Sequence, residues 1–161
     1  MLFILSSRLF QRRRFRRQDV NDMDIIGIWN VAEAMTFDED LNSVWKTKEE
    51  VMADESADDD LKELFDAKIA FCEDGFVRSL FAIPEDMSQE EIDEMVESGE
   101  AELYGDGYMA MERRPWKVED GKILVDTGMK AEVLGEELSS WTEVKVLDGV
   151  VEYMMFRLAR D

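Results

Sequence analysis

The chain has 161 residues, 45% of them apolar, and a formal net charge of −20. That length suits one domain with a real core, and no apolar run approaches the ~18 residues that a membrane-spanning helix needs. With no histidine and one cysteine, it is excluded from Ser-His-Asp and Cys-His catalysis, histidine-ligated zinc or haem, and an intrachain disulfide, cysteine zinc site or iron–sulfur cluster.

Residues 1–22 hold six arginines against two aspartates, a balance of +4 that leaves −24 for the remainder. The apolar MLFIL precedes the arginines, the reverse of a secretory signal. Residues 1–23 are therefore expected to be a basic arm, disordered or weakly helical. Three readings stay open for it: a stretch ahead of a true start at Met23, a segment lying on the protein's own acidic surface, or a basic amphipathic segment for anionic membrane or nucleic acid. Residues 24–161 are expected to form the folded domain, and its acidity argues against nucleic-acid binding.

The first strand is expected near 25–36. Two short helices follow, Leu41–Met52 and Asp58–Phe65, with the acidic run DESADDD between them. That run lacks the alternating ligands and central glycine of an EF-hand loop and reads as a solvated helix cap. Strands are expected near 67–73 and 76–83. Cys72 falls in the first of these and reads as a buried thiol rather than a nucleophile. After Pro84, Ser88 opens a capping box and the stripe Ile92, Met95, Val96 predicts a helix to residue 98, stopped by Gly99. Tyr104-Gly-Asp-Gly-Tyr108 reads as a turn.

Further strands are expected near 108–118, 122–127, 129–134, 141–147 and 150–159. Pro115 requires a bulge, bend or edge in the first of these. Asp-Gly pairs at 74–75, 120–121 and 148–149 sit between apolar runs, the pattern of two-residue type I′ hairpins with positive φ at both central residues. The strands therefore follow one another as an antiparallel meander. Eight long strands with an apolar face are expected to curl into a closed up-and-down barrel, because closure removes exposed edges. The fold class is thus mainly β: an eight-stranded antiparallel barrel with a helical insertion after the first strand and a second short helix near 88–98.

Gly27-x-Trp29 on the first strand, the meander after it, and Arg157 and Arg160 near the end of the last strand together resemble the calycin superfamily, which includes lipocalins and fatty-acid-binding proteins. The resemblance covers roughly residues 24–161. It implies that Trp29 closes one end of the barrel and that one of the two arginines packs on it. The chain departs from most secreted lipocalins in having no disulfide, and the helix at 88–98 is not the pattern of the fatty-acid-binding branch.

Period-two alternation from Trp29 puts Val31, Glu33 and Met35 inside. Setting Arg157 opposite Trp29 would place Met155 near Val31 and Tyr153 near Glu33, with Arg157 stacked on Trp29 and a Tyr153–Glu33 hydrogen bond. Glu33 facing outward is the competing placement, and Arg157 as a structural cap competes with Arg157 as a ligand anchor. Met109 and Met111 share one face of their strand, and Trp116 beside Pro115 lines the barrel mouth or plugs a bulge. The interior candidates for ligand contact are therefore Trp29, Val31, Glu33, Met109, Met111, Trp116, Tyr153, Met155 and Arg157; the methionines suit an ordinary core equally well.

The function expected is binding of a small, largely apolar molecule. The alternatives are a packed acidic barrel acting as a protein-interaction module, and a histidine-independent lyase or isomerase using Tyr, Glu and Arg. No catalytic residue, metal or cofactor is assigned, and no protein partner is identified. A single cysteine fits a reducing, cytoplasmic setting, and a disulfide-free secreted protein would fit as well.

Overall fold

The computed structural model describes residues 25–105 and 107–160, and the basic arm expected over 1–23 lies outside them. The strands are β1 (Gly27–Phe37), β2 (Ser43–Thr47), β3 (Lys68–Phe71), β4 (Phe76–Ala82), β5 (Glu102–Tyr104), β6 (Tyr108–Glu119), β7 (Lys122–Asp126), β8 (Ala131–Val133), β9 (Glu136–Leu138), β10 (Trp141–Leu147), β11 (Val150–Tyr153) and β12 (Phe156–Ala159). Among the described residues three helices accompany them: α1 (Lys48–Ala53), α2 (Asp59–Leu64) and α3 (Gln89–Ser98).

Eight antiparallel strands form a ring in the order β1, β3, β4, β6, β7, β10, β11, β12, closed by pairing of β12 with β1. β2 continues along β1 beyond β3, and β5 adds to β6. The expected number of ring strands is met, but not with the expected members. The segment anticipated at 129–134 leaves the ring as β8, which pairs with β9 in a separate hairpin. The segment anticipated at 150–159 is cut in two by a tight reversal at Met154-Met155, where Met154 takes φ 53°. One strand lost and one gained leave eight.

Turn chemistry explains most of the ring. Asp120-Gly121 and Asp148-Gly149 take positive φ at both residues, as a type I′ hairpin requires. Asp74-Gly75 does not. Only Gly75 is left-handed there, and its N–H donates to the Cys72 carbonyl (3.2 Å), a one-turn reversal ending in a glycine bulge. The Asp74 carboxylate is drawn into other contacts: it accepts from the Phe76 amide at 3.1 Å and from Arg78.

The helix expected over 41–52 is shorter. Ser43–Thr47 carries the β-branched and aromatic Val44, Trp45 and Thr47 and pairs with Glu33–Phe37, so tertiary pairing overrides local helix preference. Thr47 then caps α1 in a capping box with Glu50. Asp58 caps α2, and Asp54 accepts from the Ser56 hydroxyl (2.6 Å), so the acidic run terminates helices as expected. α3 has the anticipated Ser88–Glu91 capping box and ends at left-handed Gly99.

Two bulges set which side chains enter the ring. On β1 the pairing shifts between Val31 and Glu33, so Val31 and Ala34 are buried together and Glu33 is not. On β6 the partners of Ser79 and Leu80 are Glu112 and Ala110, which leaves Met111 as the extra residue. The interior cluster includes Trp29, Phe71, Trp116, Ile123, Val151 and Leu158. A smaller apolar cluster, Ala70, Leu80 and Ala110 with Cys72, Tyr104 and Tyr108 against it, lies on the outer face of β3, β4 and β6.

Candidate functional site

Most of the ring's interior is filled. Phe71 meets Trp116 and Tyr153 edge-on at centroid distances of 5.8 and 5.9 Å. Trp116 donates through Nε1 to the Cys72 carbonyl (3.0 Å), and Trp29 through Nε1 to the Ile25 carbonyl (2.9 Å). The end beside Trp29 is closed by Arg160, whose guanidinium lies 4.1 Å from the indole and donates to the Ile26 carbonyl at 2.6 Å.

Toward the opposite end the packing leaves a recess of about 120 Å³. Strands supply Val31, Ile69, Phe81 and Phe156, the end of α2 and the chain after it supply Leu64 and Ala67, and Met154 borders the recess from the β11–β12 turn. Its polar groups are Ser79, Glu112 and Tyr153. These residues meet because Ser79 pairs with Glu112 across β4–β6, while Tyr153 pairs with Phe156 across β11–β12.

Glu112 and Arg114 lie two residues apart on β6, hence on the same side of the sheet. Arg114 donates through Nη2 to the Glu112 carboxylate and through Nη1 to the Thr127 carbonyl, and its buried Nε has no partner among the described residues. Burial pushes the Tyr153 hydroxyl up to about 12; Arg114 opposes this shift and Glu112 adds to it. Tyr153 therefore stays protonated at neutral pH and offers a hydroxyl donor.

The nine residues anticipated as interior candidates separate. Val31 and Tyr153 line the recess. Trp29, Met109 and Trp116 are buried outside its lining. The other four are not inside. Glu33 pairs with Arg157 at 3.0 Å, and Arg157 also pairs with Glu152 at 3.1 Å and stacks on Trp45 at 4.2 Å. Val31 opposes Leu158 and Glu33 opposes Arg157, so the register is shifted from the one anticipated, and Arg160 takes the place on Trp29 expected for Arg157. The Tyr153–Glu33 bond is replaced by the outer Glu33–Arg157 pair. Met111 is exposed because the β6 bulge turns it out of phase with Met109, and Met155 is exposed in the β11–β12 reversal.

Sequence reasoning missed the other eight lining residues: Leu64, Ala67, Ile69, Ser79, Phe81, Glu112, Met154 and Phe156. A usable signal existed on β4, where Val77, Ser79 and Phe81 alternate with Arg78 and Leu80; on β6 the bulge hides it.

A second polar cluster lies on the outer face. Arg78, 6% exposed, donates to Asp74 at 3.0 and 2.8 Å and to Glu102 at 3.1 Å. Its hydrogen bonds hold the Asp74 carboxyl below the ordinary range. Half-buried Cys72 lies 3.8 Å from the Tyr104 hydroxyl, which burial and then Cys72 push upward.

Geometry thus defines an eight-stranded antiparallel ring with one capped end and a small, mostly apolar interior recess. No family model, curated protein or solved structure matches the chain.

Proposed function

We propose that the ring is a calycin-type barrel and that its recess binds a compact, mainly apolar molecule. The observation that carries the reading is the recess itself: interior space lined by aliphatic and aromatic side chains with three polar groups at its surface. Its volume of about 120 Å³ sets the scale of the occupant, since a closed apolar cavity of roughly 150 Å³ accepts benzene. Long-chain lipids are too large without repacking. The Gly27, Trp29 and Arg160 arrangement supports the calycin assignment. A lone thiol, Cys72, suits a cytoplasmic setting, where it stays reduced. No helix among the described residues is long and apolar enough to cross a membrane.

The test is native mass spectrometry of the purified full chain, followed by amide-shift titration with small cyclic hydrocarbons. A retained small molecule, or saturable shifts confined to the neighbours of Val31, Phe81 and Phe156, is expected. Loss of all binding under both conditions overturns the reading.

One observation favours a second reading, a protein-interaction module. The β8–β9 hairpin is exposed at every strand position, and it carries exposed Met129, Val133, Leu134 and Leu138.

A further inference from the structure

We propose that the recess selects small organic amines over neutral and acidic molecules of the same shape, with Glu112 as the anchoring carboxylate; the inference rests on the recess being a ligand site. Glu112 is the one carboxylate of the lining, which holds no lysine or arginine. Its side chain is half exposed at 50%, so a charge paired with it keeps contact with solvent. A molecule with an apolar body and a terminal ammonium matches that order: the body enters among Val31, Phe81 and Phe156, and the charge stays at the edge.

Arg114 positions this group. It holds one carboxylate oxygen of Glu112 through Nη2 and is itself tied to the Thr127 carbonyl through Nη1. Arg114 is not part of the lining. A carboxylate accepts several hydrogen bonds, and its second oxygen is available to an incoming N–H. The Ser79 hydroxyl and the Tyr153 phenol border the same space, and both oxygens can accept from an ammonium. An acid would instead bring its negative charge against Glu112, within a protein whose overall charge of −20 already repels it.

The experiment titrates isotope-labelled full-length protein with three probes: cyclopentylamine, methylcyclopentane and cyclopentanecarboxylate. Cyclopentylamine is expected to bind about fivefold or more tighter than methylcyclopentane, the scale of a partly exposed charge-assisted contact. Cyclopentanecarboxylate is expected to bind weakest. Glu112→Gln, which keeps an acceptor for Arg114, should bring the amine-to-hydrocarbon ratio close to one. Equal binding of all three probes overturns the selectivity while leaving the recess reading intact. Tightest binding of the acid also overturns it, and identifies Arg114 as the anchor after displacement of Glu112. Failure of every probe to shift recess amides removes both the selectivity and the reading beneath it.

Discussion

The guanidinium of Arg160 lies 4.1 Å over the indole of Trp29, and it reaches that position by passing the backbone at Gly27. A Cβ at Gly27 would sit 3.2 Å from Arg160 Nη2, and φ there is +132°, a conformation that L side chains rarely adopt. Gly27 and Trp29, two residues apart, and the distant Arg160 thus form one closure. Gly27→Ala is expected to cost on the order of 1–3 kcal/mol through backbone strain. Arg160→Ala, which loses an exposed cation–π contact, is expected to cost about 0.5–1 kcal/mol. Thermal melts of the two variants check both values and their order.

The Arg78 cluster gives a pH signature. Asp74 has its pKa lowered, chiefly by hydrogen bonds from Arg78, so the stabilisation is present above the ordinary aspartate value of 3.8 and is lost as pH falls through the lower folded value. Arg78→Met should therefore be less stable than the parent at pH 7, and the gap should narrow below pH about 4. Urea midpoints measured across that range supply the comparison. A gap that stays constant into acid would show that packing of Arg78, not its ion pairs, is responsible.

Tyr153 predicts the opposite limb. Its pKa is raised by burial to about 12, so its contribution is full below the unfolded value near 10 and declines as pH rises from there through 12. Alkali should destabilise the parent by on the order of 2 kcal/mol more than Tyr153→Phe across that window. Denaturant midpoints at pH 9 and pH 11.5 make the measurement.

Leu134 occupies the first position of the β8–β9 turn with φ 54°, followed by Gly135 at 82°, and it is fully exposed. A type I′ turn there favours asparagine. Leu134→Asn is expected to stabilise the protein slightly, by roughly 0.5 kcal/mol, and to lower any concentration-dependent association. If association persists unchanged in light scattering, the tip is not an adhesive surface.

Much of this architecture was legible because it is local. Asp-Gly at 120–121 and 148–149 turns the chain whatever lies elsewhere, since φ preferences belong to the residues themselves. Ser88 with Glu91, Gly99, and the Asp58 cap of α2 speak for helix ends in the same way. Reversals of this kind dictate neighbouring antiparallel strands.

What the sequence by itself determined was this succession of turns, caps and apolar runs. Tertiary structure alone decided which segments joined the ring and which faces turned inward. The bulges at Val31/Glu33 and Met111 arise from pairing between distant strands, and each reverses every in–out assignment beyond it, because side chains alternate with a period of two. Hence Glu33 and Arg157 meet outside, Glu112 and Tyr153 border the recess, and Arg160 rather than Arg157 covers Trp29: their positions depend on registers that no local window of the chain contains.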